Sequence, residues 1–307
     1  MAEQFVKQHI VPKRYLDRFA FKKDGKSVIG VRLNTKDVPK FFTSPTDKVG
    51  YIKNFYDVTD RDDPKYWEHY FAKEFDTLCG NFFGNFIAKA TMSKNKSRII
   101  TEYDKKAFGK FIVSQILRVP ENISWAYKEY PSMVKEFKKD FLQSCPKEYR
   151  ALFAKIIDGY SLTKDDLKEL YLNRFFTDDN IDRLSILLKD KVWIVYYNTI
   201  SDTMPFVTSD NPIIVYDNCN QVEGIYHVGF ANKTSTFFIP LSPKVAIAIY
   251  SNLDPDTLGK IDGEICYLDE MKYICSMNLR IMGQAYKHSF LPEPLYAELT
   301  QKQQNTY

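Results

Sequence analysis

The first histidine of the chain, His9, lies in the string QHIVP, just before the start of a short apolar helix. An imidazole has an unperturbed pKa of about 6.5, so it can accept a proton at neutral pH and act as a general base. A histidine at this position can also serve only to cap the helix or to pack beside it. We take His9 as a candidate catalytic residue and Gln8 as a candidate ligand-binding residue, and we keep the structural interpretation open.

A second polar group occurs much later in the chain, in the string TSDNP, which separates two apolar runs of β type. Asp210 is the candidate catalytic carboxylate of this string, and Ser209 and Asn211 are candidate ligand-binding residues. A carboxylate at the end of a buried strand is held rigidly, as a general acid–base group or a metal ligand requires. Asp and Asn side chains also bind their own backbone, and Pro212 favours extended geometry before it, so a plain turn explains the string as well.

Two further candidate groups come from the helical part of the sequence. Glu74 lies between Phe71 and Phe75 in a phenylalanine-rich helix, where it is either solvated or, if buried, in need of a partner. We count it as a third catalytic candidate. Gln115 and Arg118 are three positions apart near the end of another helix and are ligand-binding candidates. At that place Arg118 either stabilises the helix dipole or clamps a phosphate or carboxylate.

These groups predict one polar cluster. We expect a nitrogen of the His9 imidazole within hydrogen-bond reach of Asp210 or its immediate neighbours, directly or through one water. A histidine fixed before a helix and a carboxylate fixed at a strand end are the components of a base and its orienting partner. Arg118 is expected to pair with a carboxylate or to face the same cleft as His9.

The elements that must position these residues indicate an α+β fold. Helical periodicity fills residues from about 64 to 190, and continuous apolar, β-branched runs predict a mainly antiparallel sheet over about 191–270. An early hairpin in residues 1–60 is too small to be stable alone, so we expect it to join that sheet. Helices and strands that do not alternate are typical of α+β proteins, and we expect residues 1–307 to form a single compact domain.

Local signals set several boundaries. Thr101 followed by Asp104 predicts a capping box at a helix start, and the DG pair in KKDGKS predicts a hairpin turn. Pro131 is expected to break the helical region. A final helix is expected through residues 271–290, where apolar residues share one face.

The composition limits the class of protein. The chain has 307 residues, 44% of them hydrophobic, a net charge of +4 and a pI of about 8.5. A pI below the value of about 9 that is typical of strongly basic domains permits a nucleic-acid partner without requiring one. Five cysteines without a CxxC pair predict reduced thiols and a cytoplasmic protein. The start of the chain lacks the apolar stretch of a secretory signal, and no run predicts a membrane span.

Several common catalytic signatures are missing from the sequence. It contains no GxGxxG, GxxxxGK[ST], HExxH or GxSxG string. Their absence argues against a Rossmann dehydrogenase, a P-loop ATPase or GTPase, a zincin protease and an α/β-hydrolase. Short nuclease signatures are not excluded, although no paired Asp and ExK string is visible.

The strings QHIVPKRYLDRFA, SQILRVP, FVTSDNP and FIPLSP occur in this order. Together they resemble an uncharacterised bacterial family, domain of unknown function 4238, whose hallmarks are an H-[YIV]-[VI]-P string near the N-terminus and an SDNP string in the second half. The resemblance runs over about residues 6 to 290 and departs at Val119, where the family more often has threonine. It implies no established activity or fold, but it marks His9, Arg118 and Asp210 together.

The first functional interpretation is a hydrolase, in particular a phosphodiesterase or nuclease. His9 would be the general base, Asp210 with Glu74 would hold a divalent metal ion or orient water, and Arg118 would stabilise negative charge. The partner would be nucleic acid or another phosphate-bearing ligand. A role in bacterial defence would fit such an enzyme by association.

Two other interpretations involve no chemistry. The chain would be a binding or sensor module for an anionic ligand that uses Arg118, Ser209 and Asn211. Alternatively, His9 and Gln8 would hydrogen-bond the SDNP turn and tie the N-terminal segment to the sheet. Whether His9 and Asp210 meet in an open cleft or in a closed, dry contact distinguishes these interpretations.

Overall fold

The computed structural model describes residues 7–35, 38–58, 62–159, 162–217, 222–251 and 258–304. Within these ranges the chain forms eleven α-helices and thirteen β-strands, which confirms the α+β class predicted from the sequence.

The strands are short and the longest helices lie in the middle of the chain. The strands are β1 (Lys7–His9), β2 (Phe21–Lys23), β3 (Lys26–Leu33), β4 (Lys40–Ser44), β5 (Tyr51–Lys53), β6 (Val192–Asn198), β7 (Thr208–Ser209), β8 (Ile214–Asp217), β9 (Val222–Glu223), β10 (Thr236–Pro240), β11 (Val245–Tyr250), β12 (Ile265–Leu268) and β13 (His288–Leu291). The helices are α1 (Lys13–Leu16), α2 (Tyr66–Glu74), α3 (Asn81–Met92), α4 (Glu102–Leu117), α5 (Pro120–Ser144), α6 (Arg150–Gly159), α7 (Lys164–Phe175), α8 (Asp178–Lys189), α9 (Ile225–Val228), α10 (Met271–Gly283) and α11 (Glu293–Gln304).

The larger sheet has six strands in the order β12-β6-β11-β10-β8-β9. Its neighbouring pairs are antiparallel except for β12 beside β6. Side chains alternate across it: Phe237 and Ile239 belong to the core shared with the central helices, whereas Phe238 packs in the core beneath α10. Burial on both faces explains why these strands appear in the sequence as continuous apolar runs.

The N-terminal strands join the C-terminal part of the chain through a second sheet. This sheet has the order β2-β3-β13-β7, with β4 paired to the same strand β3. The β2-β3 turn is the expected Asp24-Gly25 pair, and both residues have positive φ, 51° and 75°. Tyr15 adds a second link, because its hydroxyl is 2.8 Å from the Thr208 hydroxyl and donates to the Pro240 carbonyl at 2.6 Å. The early segment is thus held against both later strands.

Two boundaries differ from the sequence-based expectation. The final helix ends at Gly283, and residues 288–291 form strand β13, because they pair with β3 on one side and β7 on the other. Pro131 does not break the helical region but lies inside α5, at an exposed position. The predicted capping box is confirmed: Thr101 accepts from the Asp104 backbone N–H, and the Asp104 carboxylate accepts from the Thr101 N–H.

The cysteine and membrane expectations concern separate features. Four described cysteines, Cys79, Cys145, Cys266 and Cys275, are free thiols, and Cys219 lies outside the described residues. Across the described part of the chain, every helix is too short or too polar to cross a bilayer.

Candidate functional site

His9 ends strand β1, where it pairs with Tyr51 of β5. The two rings meet edge to face with their centroids 6.1 Å apart. The chain then turns sharply, since the Ile10 N–H donates to the Gly50 carbonyl at 2.9 Å before Pro12 begins the approach to α1. The imidazole is therefore fixed from both sides by backbone pairing.

The electrostatic environment keeps the His9 ring neutral. Its Nε2 atom is buried and has no hydrogen-bond partner among the described residues. Burial lowers the pKa of His9, and the positive charges of Arg118, Lys7 and Lys13 lower it further against an opposing effect of Asp47. A neutral imidazole with an unshared nitrogen is the form that can accept a proton.

His9 borders an open cavity of about 370 Å³. Its wall combines two acidic and two basic side chains with the imidazole. The lining residues are His9, Pro12, Lys13, Arg14, Glu68, Ala72, Asp76 and Thr77. Most of them come from the start of α1 and from one side of α2 with the 3-10 helix Asp76–Cys79 that follows it.

The two carboxyl groups of this wall are both shifted toward the protonated form. Burial raises the pKa of Glu68 to about 7, with a further rise from the Asp76 charge and an opposing effect of Arg118. Burial also raises the pKa of Asp76, although the Arg118 charge opposes the shift. Glu68 is therefore divided between acid and carboxylate at neutral pH, as an acid–base group must be.

Arg118 is paired with a carboxylate, as the sequence predicted, but it is completely buried. Its Nη1 donates to Asp76 at 2.8 Å, and its Nε and Nη2 donate to the Gln115 side-chain oxygen at 3.1 and 2.8 Å. Gln115 in turn donates to the Ile10 carbonyl at 2.8 Å. Both residues thus connect the end of α4 to Asp76 and to the backbone beside His9. They are positioning residues, and the guanidinium is too enclosed to clamp a ligand.

Gln8 has a similar structural role. Its side chain is fully buried, accepts a hydrogen bond from the Tyr56 N–H at 2.6 Å and donates to the Asp57 carboxylate. These bonds use both ends of the amide. The expected ligand-binding role of Gln8 is therefore replaced by anchoring of the strand that carries His9.

Asp210 has other partners than the expected His9. Its carboxylate accepts from the backbone N–H groups of Tyr286, Lys287 and His288 at 2.7, 2.8 and 2.8 Å, and it is 1% exposed. The Nδ1 atom of the His288 ring lies 3.6 Å away. These contacts occupy the oxygens of Asp210 with the segment that leads into β13. The expected catalytic role is corrected to that of a fastener between β7 and β13.

Ser209 and Asn211 form the turn around this carboxylate. The Ser209 hydroxyl donates to the Asn211 carbonyl at 2.7 Å and accepts from its N–H at 3.1 Å. The Asn211 side chain donates to the Gln284 carbonyl at 3.3 Å. The structural interpretation of the TSDNP string as a turn therefore describes its contacts, and neither residue reaches the His9 cavity.

The same family assignment follows from the whole chain. The family model described as Protein of unknown function (DUF4238) matches residues 7–291. The chain belongs to this family. No curated protein and no solved structure matches it.

In this DUF4238 protein the first two motifs meet, and the third lies elsewhere. The QHIVP and SQILRVP strings come together through Gln115 and Ile10, at the His9 cavity. The SDNP string instead holds two strands together and lines a separate cavity. The described residues contain no group of three or more His, Cys, Asp or Glu side chains placed to hold a metal ion.

Glu74 points away from the His9 cavity of the DUF4238 chain. It forms an ion pair with Lys73 at 3.0 Å and its side chain is 40% exposed. Helix phase explains the correction, because six residues beyond Glu68 correspond to about 600°, which places Glu74 about 240° around the axis from it. Glu68, Ala72 and Asp76 are spaced by four and share the side that faces the cavity.

Sequence reasoning missed three of the cavity residues: Glu68, Asp76 and Arg14. The four-residue spacing of the two acids was a visible signal, but many surface helices carry such pairs. Arg14 lies beside Gly80, where an added Cβ atom would be 2.8 Å from the Arg14 Nη1 atom. A glycine at that position makes room for the guanidinium, and no local pattern links two residues so far apart.

Proposed function

We propose that this protein is a hydrolase of phosphodiester bonds that works by acid–base catalysis at the His9 cavity. One observation carries the proposal: the unpartnered nitrogen of His9 and the carboxyl group of Glu68 line the same open cavity as the cation Arg14. Hydrolysis of a phosphodiester requires a base for the attacking oxygen, an acid for the leaving oxygen and positive charge for the phosphate.

The two titrating groups have complementary protonation states. His9 is neutral near pH 7 because its pKa is lowered, so it can take the proton of an attacking water. The water oxygen then forms a bond to phosphorus as the bond to the leaving oxygen breaks. Glu68, with a pKa of about 7, gives its proton to that leaving oxygen.

Positive charge at the cavity favours an anionic substrate. Lys13 and Arg14 both line the cavity, but the Lys13 ammonium is held by Asp17 at 2.8 Å. Arg14 forms no ion pair among the described residues and is exposed, so its forked guanidinium is the group that would hold a phosphate. Arg118 would act indirectly, by fixing Asp76 beside the reacting groups.

The test compares paired substitutions on the same helix and of the same residue type. His9→Gln and Glu68→Gln should each lower turnover of bis(p-nitrophenyl) phosphate and of short RNA and DNA strands by about 10²-fold or more. The controls are His69→Gln and Glu74→Gln, because both side chains are exposed and lie outside the cavity wall. They should retain activity within about twofold, since surface substitutions remote from the reaction change little.

The pH profile and the metal dependence sharpen the test. Activity of the unmodified protein should fall below the lowered pKa of His9 and above the pKa of Glu68, which is about 7. EDTA should leave it unchanged. Turnover that survives both His9→Gln and Glu68→Gln, or no turnover of any phosphodiester, would refute the proposal.

Binding without chemistry is the competing outcome. It is supported if Arg14→Gln weakens binding of a short oligonucleotide while the unmodified protein shows no turnover at any pH. In the hydrolase case Arg14→Gln should raise KM more than it lowers kcat, because Arg14 holds the substrate. A cytoplasmic location and a part in bacterial defence, with nucleic acid as the partner, remain predictions that belong to this proposal.

A further inference from the structure

A second and larger cavity, of about 570 Å³, lies between the α4–α5 corner and the β8–β9 edge of the six-stranded sheet. It shares no lining residue with the His9 cavity. Its wall combines carboxylates, amides, an indole and apolar side chains. The lining residues are Ile116, Glu121, Asn122, Trp125, Glu129, Asn211, Ile213, Val215, Glu223, Gly224, Ile225 and Gln284.

The wall carries negative charge without a cation of its own. Three of the lining residues are glutamates, and none is Lys, Arg or His. Glu223 is paired with Arg280, which lies outside the wall, but Glu121 and Glu129 form no ion pair among the described residues. Burial raises the pKa of Glu121 to about 7, and the nearby Asp210 charge raises it further, against a hydrogen bond from its own backbone. A positive ligand would relieve this repulsion.

The amides of the wall present acceptors rather than donors. The Gln284 side chain donates to the Asn211 and Ile213 carbonyls at 2.7 and 2.9 Å, and the Asn211 side chain donates to the Gln284 carbonyl. Because the N–H groups are used in this way, the side-chain oxygens of Asn211 and Gln284 are the ends left to accept hydrogen bonds. A ligand here must therefore bring N–H or O–H donors.

The remaining lining residues fit an organic cation. Trp125 supplies an aromatic face, the side chain with the strongest attraction for ammonium and guanidinium groups. The volume falls within the range of about 300–1,000 Å³ that is usual for small-molecule sites. Ile116, Ile213 and Val215 would cover a short aliphatic chain between two cationic ends.

We propose that this cavity binds a small organic polycation, an aliphatic amine or guanidine with several N–H donors. Glu121 and Glu129 would pair with the cationic ends, Asn211 and Gln284 would accept N–H bonds, and Trp125 would cover one charge. The SDNP string would then both fasten the two sheets, through Asp210, and contribute to a ligand site, through Asn211. The proposal is independent of the hydrolase activity, because the two cavities have no residue in common.

Calorimetric titration of the full chain with agmatine and with spermidine tests the inference. Neutral 1,6-hexanediol and MgCl₂ serve as ligand controls. We expect one saturable site for agmatine or spermidine and none for the controls. Affinity should fall at least tenfold in the Glu121→Gln/Glu129→Gln double variant, whereas Glu136→Gln, an exposed glutamate on the same helix that lies outside this wall, should bind as the unmodified protein does.

Trp125 gives a second readout that separates a lost site from a lost fold. Saturating agmatine should change the tryptophan fluorescence of the unmodified protein, and Trp125→Phe should abolish the change while its melting temperature shows that the chain is folded. The inference is overturned if neither amine binds, if the double variant binds as tightly as the unmodified protein, or if Glu136→Gln weakens binding equally, which would indicate general surface charge.

Discussion

Replacing Asp210 with alanine should destabilise the fold while leaving the His9 chemistry intact. The carboxylate is 1% exposed and accepts three backbone N–H groups, from Tyr286, Lys287 and His288. Alanine leaves all three without their acceptor at the point where β7 meets β13. The pairing that joins the N-terminal strands to the later sheet is thereby weakened.

The expected loss follows from the number and exposure of these bonds. A hydrogen bond to a charged group contributes about 1.5–3 kcal/mol when it is buried. Tyr286 and Lys287 are exposed residues, so water can replace part of what is lost and about 1 kcal/mol per bond is the appropriate value. Asp210→Ala should therefore cost about 3 kcal/mol, and Asp210→Asn about 2 kcal/mol, because asparagine keeps one acceptor oxygen.

The assay is urea unfolding followed by circular dichroism, together with thermal melting. A loss of about 3 kcal/mol corresponds to a fall of about 6 °C in Tm for a chain of this size. Asp202→Ala is the matched control, because Asp202 is 92% exposed and only 3.6 Å from Lys244 as a surface pair. That variant should stay within about 0.5 kcal/mol of the unmodified protein.

Two results would refute this reasoning. A change below about 1 kcal/mol for Asp210→Ala would mean that the three N–H groups do not depend on the carboxylate. Abolished phosphodiesterase activity in folded Asp210→Asn protein, at a temperature well below its melting point, would show that Asp210 takes part in the chemistry.

The other predictions concern the His9 cavity. Glu68→Gln should raise Tm more at pH 8 than at pH 5: the folded pKa of Glu68 is raised from 4.5 to about 7, so the stability of the unmodified protein falls as pH rises through that window. A Tm difference that is equal at both pH values in calorimetric scans would contradict this. His9→Gln should flatten the loss of stability below about pH 6.5, because the lowered pKa of His9 makes the unfolded chain bind the proton first; an unchanged slope of Tm against pH would show that His9 is not the titrating group. Arg118→Met should cost about 3–5 kcal/mol in urea unfolding, since it leaves the half-buried Asp76 and the buried Gln115 oxygen without their donor, and a loss below about 1 kcal/mol would exclude the pairing described.

The sequence alone predicted the features that depend on near neighbours in the chain. The Thr101 cap is confirmed because its partner Asp104 is three residues away. The apolar runs predicted β6, β10 and β11 because a strand buried on both faces has no polar side. Pro131 is the exception, since a rule for local propensity was overridden by the surrounding long helix.

The partners of the polar groups were decided by tertiary structure. His9 meets Glu68 and Asp76 because helix phase and the packing of α2 against the first strands bring them to one cavity, and a carboxylate carries no mark of the side it will face. Asp210 meets three backbone N–H groups that lie more than seventy residues later. Every residue except proline offers the same N–H, so side-chain types could not indicate which segment would satisfy that carboxylate, and only the pairing of β13 placed it there.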